Sequence, residues 1–205
     1  MKRNIFSPEF MCDWMVSQQE PVSAIPTHLP TLNRVMRDDG GGKGIAKTAG
    51  WLVVIGGSPG FGKSAFSLNL ASAALNASPP EPVSFISLEM SATQLATRLY
   101  SLQSGTALRL LEKGGFSELA WHDTHQKFSD LPPVWVPNRL VTGWSHIMSY
   151  VQKCHDAGCR YFILDHLQCV VLGDDEVLHR GIQKVISELR AWAVESKSAI
   201  VICSQ

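Results

Sequence analysis

Eight consecutive residues hold most of the chemistry legible in this chain. Gly57-Ser58-Pro59-Gly60-Phe61-Gly62-Lys63-Ser64 fits G-x-x-x-x-G-K-[ST] without a mismatch. Glycines let successive backbone N–H groups turn inward around phosphate oxygens, and the start of a following helix adds the positive end of its dipole. In such a loop Lys63 reaches the β- and γ-phosphates of a nucleotide, Ser64 offers its hydroxyl to Mg²⁺, and Ala65 carries the chain on into the helix. The string alone is also compatible with a chance glycine turn. Its flanks decide between the two: a short apolar run over 51–55 predicts a buried strand before it, and a helical pattern runs from about 63 to 76 after it.

Three further residues could complete a phosphate-cleaving centre. Tyr161-Phe162-Ile163-Leu164-Asp165 is an apolar strand ending in a carboxylate, which puts Asp165 where a Walker B acid sits near Mg²⁺. Glu89 follows the predicted strand 83–88, on the edge where an α/β sheet presents ligand-facing residues. It reads equally as a group that orients the attacking water or as a carboxylate favoured by the dipole of the next helix. Gln205 ends the last predicted strand on the same edge, where a side-chain amide could sense a γ-phosphate.

The elements that must position these residues alternate regularly. Strands are predicted over 51–55, 83–88, 133–136, 161–164 and 199–203. Helices are predicted over about 63–76, after Ser91 to about 102, over 106–113, 117–128, 142–157 and 177–196. Ser91-x-x-Gln94 fits a capping box, Thr142 could cap its helix, and Gly158 is placed to end that helix. Five alternations predict an α/β fold with a mostly parallel central sheet and helices on both faces. Before it, residues 1–37 form an arm or linker broken by prolines at 8, 21, 26 and 30, with room for a short helix over 7–19. The core is expected over 38–205, opening with the flexible loop Asp38-Asp39-Gly40-Gly41-Gly42-Lys43-Gly44.

Composition supports a folded core. Of 205 residues, 45% are hydrophobic, and Lys+Arg 18 balance Asp+Glu 18. That excludes intrinsic disorder and a globally basic nucleic-acid binder, though not a local basic groove. No run nears the ~18 apolar residues of a membrane span, and no secretory signal opens the chain, so a cytoplasmic protein without membrane contact is expected. Five cysteines at scattered spacings predict free thiols.

Four stretches resemble the RecA-like ATPase domain of DnaB-type replicative helicases. They are the segment from Val53 through the phosphate loop to Ala71, Phe85-Ile86-Ser87-Leu88-Glu89-Met90-Ser91-Ala92-Thr93-Gln94-Leu95, Ile163-Leu164-Asp165-His166-Leu167-Gln168, and Leu189-Arg190-Ala191 leading to Ile202-Cys203-Ser204-Gln205. The Ser87-Leu88-Glu89-Met90-Ser91 segment discriminates best, because RecA recombinases and KaiC-like ATPases do not usually carry it in that form. Pro26 to Asn33 also looks like the family's lead-in, so the resemblance runs from about Ile25 to Gln205. It implies ATP and Mg²⁺ as ligands, with Lys63 and Ser64 on phosphate and metal and Asp165 as Walker B acid. It also makes Glu89 the general base for water and Gln205 the γ-phosphate sensor that couples hydrolysis to DNA-binding loops. It further implies a homo-hexameric ring around single-stranded DNA, with a primase or helicase loader as partner.

The departures point the other way. In that family a DNA-binding loop, a last part of the sheet and an arginine finger follow the position of Gln205, and a helical domain precedes the core. A fragment of a longer gene is therefore expected, on the added ground that a stable domain should not end on a strand normally buried within a sheet, which would leave an unfinished edge. The competing reading is a nucleotide-dependent binding module, or a RecA- or KaiC-like ATPase, acting through a partner.

Other constellations have plainer readings. His122-x-x-His125, Cys154, His155, Cys159, His166 and Cys169 could include zinc ligands, but they fall on different elements, and buried thiols and surface histidines explain them. His166, beside Asp165, could act near the γ-phosphate or simply pack. Arg180, Lys184 and Arg190 line a channel or form a solvated helix face, and the acidic loop Gly173-Asp174-Asp175-Glu176 would repel DNA. Trp121, Trp135, Trp144 and Trp192 are expected in core or interface.

Overall fold

The computed structural model describes residues 23–36, 43–114, 122, 125–126, 128–137, 143–170 and 175–205. The expected arm helix over 7–19, most of the glycine loop, most of the helix over 117–128, Trp121, Thr142 and the start of the acidic loop lie outside the described residues.

All five strands of the main sheet are parallel. They are β3 (Leu52–Gly56), β4 (Val83–Ser87), β5 (Val134–Trp135), β6 (Tyr161–Asp165) and β7 (Ala199–Ser204), in the order β3-β7-β6-β4-β5. Side chains alternate between two covered faces, so each strand reads as a continuous apolar run. On one face Phe85, Tyr161, Ile163 and Val201 pack with Leu68, Ala71 and Leu75 of α2 (Lys63–Leu75) and Leu95 and Leu99 of α3 (Ala92–Ser104). On the other, Ile86, Phe162, Leu164, Ile200 and Ile202 meet Ile147, Val151 and Cys154 of α5 (Trp144–Asp156) and Val185, Leu189 and Ala193 of α6 (Asp175–Glu195). Both helices on that second face present their buried residues at three- and four-residue spacing, as an amphipathic helix must. α2 is apolar or small nearly all round because it lies deep against the sheet.

One expectation needs correction. Among the described residues the strand before the phosphate loop is an edge strand: β3 pairs there only with β7, and Val54 is 49% exposed. Conversely, the last strand in sequence is no edge. β7 is inserted between β3 and β6, and Ala199 to Cys203 are all buried. Parallel crossovers let a terminal strand fill a central slot, so chain order does not predict edge position.

Helix boundaries agree closely with the pattern. The Ser91–Gln94 capping box forms: the Ser91 hydroxyl accepts from Gln94 N–H and the Gln94 amide oxygen accepts from Ser91 N–H. α5 begins after Gly143, which gives no side-chain cap, and Gly158 at φ 95° follows its end. A shorter helix, α4 (Leu108–Glu112), replaces the one expected over 106–113.

A feature the pattern did not suggest lies at the start. β1 (Ala24–Ile25) pairs antiparallel with β2 (Ile45–Ala46), and Ile25 and Ile45 are both buried in the first core face. Between them, α1 (Pro30–Val35) is tied back where Asn33 accepts from Thr27 N–H and donates to the Thr27 carbonyl. This pairing crosses the division drawn at 37/38.

Candidate nucleotide site

The strand ends converge on one cleft at the C-terminal edge of the sheet, where ligands of open α/β sheets bind. It has a volume of about 410 Å³ and is lined by Pro59, Gly60, Gly62, Lys63, Ser64, Ala65, Glu89, Met90, Arg98, Asp165, His166 and Gln205. Ten of the residues singled out from the sequence, His166 included, thus meet across four separate strand ends. Gly57, Ser58 and Phe61 do not line it: Gly57 lies at the loop base, where its N–H donates to the Ser204 carbonyl, and Phe61 is 82% exposed. A second cavity of equal volume, between α2, α3 and residues 131–136, is walled by apolar side chains and Tyr100 and offers no charged group.

The loop is built as the motif requires. Gly60 and Gly62 take φ of 80° and 83°, and Gly62 is the N-cap of α2 without a side-chain cap. The open N–H groups of the first helical turn therefore face the cleft, together with the positive end of the dipole. Lys63 Nζ donates to the Gly57 carbonyl at 2.6 Å and the Ser58 carbonyl at 3.0 Å. The ammonium is thereby held over its own loop, on neutral acceptors that an anionic phosphate can outcompete.

Opposite stands Asp165, 1% exposed at the end of β6. Its Oδ2 is buried and has no hydrogen-bond partner among the described residues. An unpartnered buried carboxylate oxygen is costly unless a cation or an ordered water meets it. Together with the Ser64 hydroxyl, this donor set is all oxygen and suits Mg²⁺, which keeps several waters and takes few protein ligands.

Glu89 lies beyond β4 and is half exposed. The turn that carries it is fixed by Ser87, whose hydroxyl accepts from the N–H groups of Glu89 (3.3 Å) and Met90 (2.8 Å). Its carboxylate faces His166 Nδ1 at 3.4 Å. His166 itself is buried, so it presents a fixed surface against which the exposed carboxylate can be oriented. Sequence reasoning missed Arg98, a second cation lining the cleft from α3. No local signal marks it: Arg98 stands two turns after the Ser91 cap, and only the placement of α3 brings it to the cleft.

The remaining candidates fall elsewhere. Among the described residues no group of three or more His, Cys, Asp or Glu is arranged to hold a metal. Cys154, Cys159 and Cys203 are free and buried, and Cys159 Sγ donates to the Tyr161 carbonyl at 3.2 Å. Burial pushes the Cys203 thiol up to about 12, helped by the charge of neighbouring Asp165. Burial likewise pushes the Cys159 thiol up from 9.0 to about 12. Folding thus favours the neutral thiol, while the unfolded chain loses its proton first. The stabilisation from Cys159 is full below pH 9 and is lost as pH rises toward 12. Urea denaturation midpoints should stay level from pH 7 to 9 and fall above that, with a shallower fall in Cys159→Ala; equal slopes would contradict the assignment. Arg190 is exposed, and Lys184 pairs with Glu188 at 3.9 Å on a solvated face. Trp135, Trp144 and Trp192 pack against the second core face.

A strand, a glycine loop and a helix opening on a lysine and a serine, set across a parallel sheet from a strand-end aspartate, define the class of phosphate-loop nucleotide-binding proteins, here in a RecA-like arrangement. The chain belongs to the DnaB-like helicase C terminal domain family, whose sequence model matches residues 25–205. The replicative DNA helicase DnaB of Nostoc is 29% identical over 159 residues, which cover 75% of this chain and 18% of that protein. The present chain therefore spans less than a fifth of that relative. Two solved structures share the fold. The ATPase domain of G40P superposes with a TM-score of 0.75 at 17% identity, covering 100% of this chain and 72% of that one. A DnaB-like replicative helicase described with its interactions with primase gives 0.72 at 17% identity, covering 100% and 48%. Family membership carries use of a nucleotide and a metal in general. Among the described residues no helix is long and apolar enough to cross a membrane.

Proposed function

We propose that this chain is the ATP-hydrolysing motor domain of a replicative DNA helicase. One observation carries the reading: Lys63, Ser64, Glu89, Asp165 and Gln205, drawn from four separate stretches of sequence, line a single cleft in which a buried aspartate oxygen lacks a partner among the described residues. Lys63 leaves the Gly57 and Ser58 carbonyls for the phosphates and stabilises charge that develops on them. Ser64 and Asp165 hold Mg²⁺, which when bound neutralises phosphate charge. Glu89, oriented against His166, aligns a water with the terminal phosphate and accepts its proton. Arg98 adds positive charge to the same cleft. Gln205 senses the terminal phosphate at the end of β7.

The wider assignment is a cytoplasmic homo-hexamer on single-stranded DNA, with a primase or a loader as partner; the helicase family supports the DNA partner, and the related helicase described with primase supports a primase. The test is steady-state ATP hydrolysis with and without single-stranded DNA, alongside unwinding of a forked duplex. Turnover stimulated severalfold by DNA supports the motor reading. ATP binding with turnover absent under both conditions overturns it in favour of a nucleotide-dependent binding module.

A further inference from the structure

Just after Asp165, where His166 already faces Glu89, a second residue grips the far end of the cleft. Gln168 lies in the 3-10 turn Leu167–Val170, directly downstream of β6. Its Nε2 donates to Ser204 Oγ at 2.9 Å and to the Gln205 carbonyl at 2.7 Å. Its Oε1 accepts from Gln205 N–H at 3.1 Å. A side-chain amide that both donates to and accepts from one residue's main chain reproduces the pairing of a neighbouring strand. It does so where a strand is missing. On the β6 side the ladder stops at Leu164↔Ile202, while β7 continues to Ser204. The same Ser204 receives the Gly57 N–H on its carbonyl, at the base of the phosphate loop.

We propose that Gln168 is a positioning residue for the γ-phosphate sensor: it continues the sheet by one side chain and fixes the main chain of Gln205 relative to Asp165 and the phosphate loop. This rests on the reading of Gln205 as that sensor. A purely structural role would lower stability without altering discrimination between nucleotides, because ADP and ATP share every contact except those to the last phosphate. The ratio of the two affinities therefore separates the alternatives.

The experiment uses the whole 205-residue chain, with Mg²⁺, fluorescent ADP and a non-hydrolysable ATP analogue, in four variants: Gln168→Met, Gln168→Glu, Gln205→Ala and the double variant Gln168→Met/Gln205→Ala. Gln168→Met keeps the length and removes all three hydrogen bonds. Gln168→Glu keeps an acceptor for Gln205 N–H but loses both donations. Gln168→Met should weaken analogue binding about tenfold, the scale of one lost hydrogen bond, and leave ADP binding within about twofold. Gln205→Ala should do the same, and the double variant should be no worse than either single one, since both disable one device. Gln168→Glu should also lose selectivity, and it carries the comparison if the methionine variant does not fold. If Gln168 variants shift both nucleotides equally, or neither, while Gln205→Ala weakens only the analogue, the positioning role is overturned and the sensor stands. If Gln205→Ala leaves the ratio unchanged, sensor and positioning residue fall together.

Discussion

Lys63→Ala is expected to abolish measurable ATP hydrolysis and to weaken nucleotide binding by roughly ten- to a hundredfold, the value of a charge-assisted contact. The reasoning starts from where the ammonium is held. It rests on two main-chain carbonyls of its own loop, at 2.6 and 3.0 Å, and among the described residues no carboxylate pairs with it in that position. Phosphate therefore gains a preplaced cation without breaking an ion pair. In the transition state that cation faces growing charge, and removing one such preorganised donor costs on the order of 10²–10³ in rate. Single-turnover hydrolysis and titration calorimetry with ATP and Mg²⁺ give the two numbers separately. The loop backbone and the open turn of α2 remain, so residual binding should persist. Turnover near that of the unsubstituted chain would remove the phosphate loop from the chemistry.

Glu89→Gln should give the complementary pattern: ATP binding within about threefold of the original and turnover reduced by about 10²–10⁴, the range general-base removal commonly produces. Glutamine keeps the shape and can still meet His166, but it cannot take a proton from water. Because Glu89 is half exposed and its turn is held by the Ser87 hydroxyl rather than by its own side chain, the substitution should leave the fold intact. An unchanged melting temperature checks that. Retained turnover would take Glu89 out of its assigned role and return it to a carboxylate at the start of a helix. The two variants together distinguish a lost ligand from a lost reaction: Lys63→Ala impairs both binding and turnover, Glu89→Gln turnover alone.

Much of this candidate site is legible in the sequence. The phosphate loop is a local device, with its spacing, preceding strand and following helix all inside about twenty-five residues. Asp165 was legible for a similar reason, since an apolar run ending in a carboxylate is a contiguous signal. Glu89 and Gln205 were legible only as strand ends, and on position alone Glu89 had two equal readings. Arg98, Ser87 and the clamp by Gln168 were not legible. Each acts through a partner from another element or a turn geometry, and no spacing rule encodes which turn a side chain will cap or which strand end it will reach. The β1–β2 pair escaped for a different reason: two-residue strands are too short for any period to register.

By itself, then, the sequence determined the alternation of strands and helices, the phosphate loop, the capping box of α3 and most of the candidate residues that line the cleft, because these depend on neighbours within a few turns of chain. The order β3-β7-β6-β4-β5 was decided only in three dimensions. The main strands are all short apolar runs, and parallel pairing between them is a long-range choice made by packing of both faces, not by local propensity. That choice put β7 between β3 and the Asp165 strand, left Val54 on an edge among the described residues, and brought Gln205, Asp165, Glu89 and Lys63 to one cleft.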